Sequence, residues 1–166
     1  MSSDLKHAIH RAKRALVDAL LLRGRRTRFD YSIIIETTNI CSLRCSCCPN
    51  GHAVERRKPG RMSAETFDAV LANIDIPVKR CFLHMCGEPF LNPRLDYFCS
   101  ELLKRRIIPT IFSNGYGIDL TLLDRILALR GVKISFSMEL QSAADYEAIR
   151  TPGRYDRAAE YLREIN

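Results

Sequence analysis

Cys41-Ser42-Leu43-Arg44-Cys45-Ser46-Cys47-Cys48 stands a few residues after the apolar run Tyr31 to Ile35. The run reads as a buried strand, which puts the cysteines in the loop at its C-terminal end. Cys41, Cys45 and Cys48 have the spacing C-x3-C-x2-C, which suits an iron-sulfur cluster. Three thiolates leave one iron of a four-iron cluster without a protein ligand, whereas a ferredoxin cluster is closed by four cysteines. An iron left open in this way can bind a substrate or a cofactor. Two other readings stand beside the cluster. His52 offers a fourth ligand for a structural zinc, although zinc loops usually draw on paired C-x2-C knuckles, which this chain lacks. Free cysteines are also commonly buried as small apolar side chains. The order of preference is cluster, then zinc, then inert thiols. Cys47 adds a sulfur beside Cys48 and reads as an apolar stand-in, not a ligand.

Further along, apolar strand-like runs at 80–86, 107–113 and 132–138 alternate with helical patterns at 64–74, 93–105, 120–130, 143–149 and 155–165. Such alternation predicts parallel β/α units. Ser63 before Ala64 and Asn92 before Pro93 mark helix starts, the second as a cap followed by a first-turn proline. Gly131 marks a helix end. In the fourth run Ile134, Phe136 and Met138 alternate with Ser135, Ser137 and Glu139, so the first set faces helices and the second lines the other face of the sheet. The loop from Pro49 to Met62, rich in Arg56, Arg57, Lys58 and Arg61, is expected at the cysteine end. Cys81 and Cys99 fall on apolar faces and read as packing. Upstream, Leu5, Ala8, Ile9, Ala12, Ala15, Leu16, Ala19 and Leu20 recur at helical spacing, with Gly24 as the stop.

The organisation expected is therefore a basic N-terminal helix and linker over 1–30 and a β/α core over 31–166. The fold class is α/β: a partial (β/α) TIM-like barrel of parallel strands, about four β/α units, plus that helix. Four strands do not close a barrel. Helices on one side would leave the other face and the last edge open, which parallel sheets normally avoid. The expectation is the N-terminal part of a barrel whose C-terminal half is absent, or one half of an assembly.

Composition narrows the setting. At 166 residues and 46% hydrophobic content, the chain can build a core and is not disordered in character. No apolar run approaches the ~20 residues of a membrane span, and the N-terminus, with Asp4, His7 and His10, lacks the layout of a signal peptide. A cytoplasmic location follows as the expectation. Seven cysteines, an odd number with two adjacent, suit a reducing compartment where thiols serve metals, and oxygen sensitivity is expected with them. Of the net charge of +7, residues 1–30 carry +5 through eight Lys or Arg against three Asp. A basic helix of this kind reads first as solvation, and as a contact for nucleic acid or anionic lipid only second.

The cysteine loop, taken with four further stretches, resembles the radical S-adenosylmethionine (SAM) superfamily. Cys86-Gly87-Glu88-Pro89 is similar to its Gly-Gly-Glu-Pro motif, with Cys86 in place of the first glycine. Phe112-Ser113-Asn114-Gly115 is similar to its Thr-Asn-Gly. Ser135 and Ser137 occupy a strand that commonly reads Ser-x-Asp, and Tyr146-Glu147-Ala148-Ile149-Arg150 matches a stretch with a recurrent Ile-Arg pair. Glu36 is similar to a glutamate frequent in the family, and also reads as one half of a surface ion pair. These matches run from Tyr31 to Gly153 in family order. The basic Arg-Lys-Pro-Gly-Arg-Met loop and Gly-Glu-Pro-Phe-Leu-Asn-Pro look most like the branch whose members often carry a SPASM extension.

The resemblance implies a 4Fe-4S cluster on Cys41, Cys45 and Cys48, and SAM held by Gly87, Glu88, Pro89, Ser113, Asn114, Ser135, Ser137 and Arg150. Glu88 would balance the SAM ammonium and the Arg150 fork its carboxylate. The implied activity is reductive cleavage of SAM to a 5′-deoxyadenosyl radical that abstracts hydrogen from a substrate. A flavodoxin or ferredoxin would be the reductant, and branch resemblance hints at a peptide or cofactor precursor as substrate. The alternatives are a truncated cluster-binding accessory or electron-transfer protein without turnover, and a structural zinc module.

Overall fold

The computed structural model describes residues 31–52, 57–138 and 142–164, together with 9, 12 and 13. Apolar runs too short for helices pair as four strands: β1 (Tyr31–Ile34), β2 (Val78–Phe82), β3 (Ile108–Ser113) and β4 (Lys133–Phe136). Between and after them lie α1 (Ala64–Ala72), α2 (Leu95–Lys104), α3 (Leu120–Leu127), α4 (Ala143–Ile149) and α5 (Tyr155–Glu164), with a 3-10 turn at Pro89–Leu91. The strands form one parallel sheet in the order β1-β2-β3-β4. This is the expected α/β arrangement of successive β/α units. Apart from Ile9, Ala12 and Lys13, which are helical, the expected N-terminal helix lies outside the described residues, as do Glu139 and Arg56. Among the described residues no helix is long and apolar enough to cross a membrane.

Register decides which side chains meet. Ile33 pairs with Cys81 and Ile111 with Ile134, on the face covered by helices. Leu83, Leu95, Phe98, Leu102 and Ile126 are fully enclosed between that face and the helices, and Phe67 of α1 stacks on Phe98 of α2 at 4.3 Å between ring centroids. Each such side chain contributes about 1.5–3 kcal/mol by leaving water. Cys81 and Cys99 sit in this core as expected, and burial pushes both thiols up to about 12. One residue along each strand, the chain turns to the opposite face, where Ile34 pairs with Phe82 and Phe112 with Ser135. Among the described residues no helix covers that face. Ile34 is 61% exposed and Phe112 41%.

Helix starts follow local chemistry, with one correction. Ser63 caps α1 by accepting from Thr66 N, Asp119 caps α3 and Ser142 caps α4. The expected start at Asn92-Pro93 is displaced: α2 begins at Leu95 behind Arg94, whose side chain makes no cap bond. Asn92 is 1% exposed and is engaged elsewhere. Its Nδ2 donates to the carbonyls of Thr37 (2.7 Å) and Met62 (3.1 Å), and its Oδ1 accepts from Arg94 N. The residue thus ties the end of β1 to the start of α1. The strands are also shorter than the apolar runs. Ladder bonds persist for one residue beyond them, from Ile35 N to Phe82 O and from Leu83 N to Thr110 O. After that, the chain leaves the sheet to build loops.

Candidate cofactor site

Those loops gather at the C-terminal edge of the sheet, the end at which parallel α/β folds place ligands. The cysteine loop is held from three sides. Thr38 Oγ1 donates to Gly60 O at 2.8 Å and accepts from Ile40 N, which fastens the start of the loop to the basic segment. Glu88 N donates to Ile40 O at 2.8 Å, which fastens it to the end of β2. Arg44 N and Ser46 N donate to the carbonyls of Thr151, just past α4, and of Ile149, its last residue. Leu43, 2% exposed, anchors the loop below, close to Gly153.

Within the loop Cys48 N donates to Cys45 O and Gly51 N to Cys48 O, a tight turn that draws two cysteines together. Any side chain at Gly51 would collide with that turn, since a Cβ there would fall 2.0 Å from Cys45 O. Gly87 has a similar reason to be glycine. A Cβ at Gly87 would meet Thr38 O at 2.1 Å, so its small size is required by contact between β2's end and the cysteine loop.

Cys41, Cys45 and Cys48 line one cleft. Facing them are Gly87 and Glu88 beyond β2, Ser113 and Asn114 at the end of β3, Ser137 beyond β4 and Arg150 after α4. Of the expected SAM-binding residues, Pro89 and Ser135 are not brought into this group. Pro89 is buried in the 3-10 turn, and Ser135 is exposed on the open face beside Phe112. Cys47 is exposed and lines the cleft, so it does not pack as an apolar stand-in. His84, Met85, Cys86 and Phe112 also border the cleft and were not singled out from sequence as a group. The signal for His84 was available: it alternates with Phe82 on the strand face away from the core.

Glu88 is the most constrained polar group. It is 3% exposed, Oε2 accepts from Asn114 N at 2.8 Å and Oε1 from Phe90 N at 3.2 Å. Burial pushes its carboxyl above the usual range, while those two N–H groups and the charge of Arg150 pull it back. Burial likewise raises Cys41 and Cys45, opposed by the Leu43 N–H at Cys41 and by Arg150 at Cys45. A metal that binds thiolates overrides such a shift by displacing the proton. Burial lowers His84, which favours the neutral ring, and its Nδ1 is enclosed without a hydrogen-bond partner. Glu36 forms the expected ion pair, with Arg57, and its Oε1 also accepts from Cys86 N at 3.0 Å.

Among the described residues no three His, Cys, Asp or Glu converge as a single metal ion requires. Sulfurs around one tetrahedral ion stand about 3.8 Å apart, given metal-sulfur bonds of ~2.3 Å. In a polynuclear cluster each thiolate takes a different iron, so three sulfurs around the rim of one cleft fit that donor set. His52, the fourth zinc ligand considered above, turns its Nε2 to Ser46 O and does not line the cleft.

Residues 35–166 match the family model for the radical SAM superfamily. The chain belongs to this superfamily. Among solved structures it is similar to Streptococcus suis SuiB bound to S-adenosylmethionine, with a TM-score of 0.70 and 17% identity over 99% of this chain and 38% of SuiB. It is also similar to BtrN in complex with AdoMet and 2-DOIA, with a TM-score of 0.57 and 25% identity over 69% of this chain and 48% of BtrN. Methylornithine synthase, PylB, matches with a TM-score of 0.57 and 16% identity over 98% of this chain and 48% of PylB. The chain thus spans less than half the length of each of these superfamily structures. No curated protein matches the sequence significantly.

Proposed function

We propose that this chain carries the cofactor-binding part of a radical SAM enzyme. The observation that carries the reading is the cleft itself: three thiols from one pinned loop face a buried carboxylate, a strand-end asparagine and a guanidinium. Cys41, Cys45 and Cys48 hold a 4Fe-4S cluster, and the remaining iron is left for the amino and carboxylate groups of SAM. When bound, cluster and SAM supply one-electron cleavage of a carbon-sulfur bond to methionine and a 5′-deoxyadenosyl radical, which abstracts hydrogen from the substrate.

The residues do the rest. Glu88, fixed by two backbone N–H groups, offers one negative charge to the SAM ammonium. Arg150 offers a cation to the carboxylate, while Gly87, Ser113, Asn114 and Ser137 bound the space between. Neutral His84 and the Phe112 ring border the same cleft and give the substrate side an uncharged lining. Residues 31–166 act as the N-terminal part of the barrel, with residues 1–30 as a separate basic region. The substrate class to test first is a peptide, since SuiB has been observed bound to its precursor peptide SuiA. A flavodoxin or ferredoxin delivers the electron.

Anaerobic reconstitution with iron and sulfide, followed by SAM and dithionite, tests this. A 4Fe-4S spectrum with release of 5′-deoxyadenosine is expected, and joint replacement of Cys41, Cys45 and Cys48 by Ala should abolish both. A cluster without 5′-deoxyadenosine would reduce the chain to an accessory or electron-transfer role. Zinc bound in place of iron would end the radical reading.

A further inference from the structure

The side chains of Asn114 and Arg150 do more than border the cleft. Asn114 Nδ2 donates to Cys41 Sγ at 3.5 Å, and Leu43 N donates to the same sulfur at 3.4 Å. Arg150 Nη1 donates to Cys45 Sγ at 3.7 Å. The orientation of the Asn114 amide is forced, because its Oδ1 accepts from Tyr116 N at 2.8 Å and so its NH2 end must face the cysteine loop. Arg150 is delivered to Cys45 by the backbone bonds on either side of it, Ser46 N to Ile149 O and Arg44 N to Thr151 O. Two residues from distant parts of the chain thus aim N–H groups at two different cysteine sulfurs.

We infer that Asn114 and Arg150 are positioning residues that set the reduction potential of the cysteine-bound cluster through N–H···S hydrogen bonds. The inference rests on the reading of Cys41, Cys45 and Cys48 as cluster ligands. When an electron arrives from a low-potential one-electron donor, negative charge grows on the thiolate sulfurs. No bond breaks and no proton moves. Donors and a cation aimed at those sulfurs favour the reduced state, so they raise the potential. Asn114 also links this effect to the carboxylate expected to hold SAM, since its backbone N–H donates to Glu88. A guanidinium has five N–H donors, so a bond to Cys45 is compatible with one to a carboxylate.

The test is an EPR-monitored redox titration with dithionite on the reconstituted full chain without SAM, comparing wild type with Asn114→Ala, Arg150→Gln and Arg150→Lys. Iron, sulfide and visible spectra are recorded alongside. Asn114→Ala and Arg150→Gln should become harder to reduce by about tenfold each, a shift of about 59 mV to lower potential for a one-electron couple. Arg150→Lys should recover most of the arginine effect. Unchanged potentials in fully loaded variants would overturn the inference while leaving the function intact. Failure of the wild type to take up a cluster would instead remove the function, and this inference with it.

Should a variant fail to load, the wild type still decides. With 15N-arginine incorporated, the reduced cluster should show a nitrogen hyperfine coupling, and its absence would refute the Arg150–Cys45 bond.

Discussion

Glu88 is ionisable yet almost wholly enclosed, and that conflict has a measurable consequence. Because burial raises its folded-state value, the stability it contributes is fully present below the ordinary glutamate value of about 4.3 and is lost as pH rises through the raised value. In the ligand-free chain, Glu88→Gln removes this titration. Thermal melts from pH 4 to pH 7 should therefore show wild type losing ground steadily against the variant. Parallel curves would mean that Glu88 is ionised without penalty. In the loaded protein the order reverses: Glu88→Gln should weaken SAM binding tenfold or more, read by equilibrium titration, because the charge held ready for the ammonium is gone. The general point at this scale is that a carboxylate buried with two N–H partners is an unfavourable element of a fold and a useful element of a site.

At the scale of elements, the cysteine loop owes its shape to partners more than a hundred residues away. Leu43 sits between the cysteines and is packed near Gly153, while Arg44 and Ser46 bond to the backbone at the end of α4 and just beyond it. Leu43→Ala should cost about 2–5 kcal/mol in urea unfolding, as for other enclosed leucines. It should also lower the iron content after reconstitution although no ligand is altered. Full iron loading in this variant would show that the spacing of the cysteines suffices without the docking. The cysteines, the Gly87-Glu88 pair and Asn114 were legible as motifs because each sits where a short strand ends. Asn92 was misread, because its local context, a polar residue before proline, is the same whether it caps a helix or bridges two loops. Distinguishing these needs the positions of Thr37 and Met62. Cys47 was misread for a similar reason: a thiol between two turn residues carries no periodicity to say whether it faces core or cleft.

Among the described residues of the whole molecule, the sheet has helices over one face and an aromatic group over part of the other. On that second face His84 lies 4.8 Å from Phe112 and 5.7 Å from Phe82 between ring centroids, and Arg80 stands over the Phe82 ring. Phenylalanines on the two faces should respond very differently to truncation. Phe98→Ala, in the enclosed layer, should cost about 3–5 kcal/mol, whereas Phe112→Ser on the open face should cost about 1 kcal/mol or less. Urea midpoints of the two variants give the comparison. Equal losses would mean that the open face is covered in solution.

The order of β/α units, the parallel sheet and the ligating role suggested for three cysteines could be read from one dimension, because hydrophobic period and ligand spacing are local properties of a chain. Which polar residues face one another across the cleft could not. The bonds from Asn114 to Cys41 and from Arg150 to Cys45 join positions 73 and 105 residues apart. Such pairs are set by strand register and by the docking of one loop on another, and these become definite only when the core has packed.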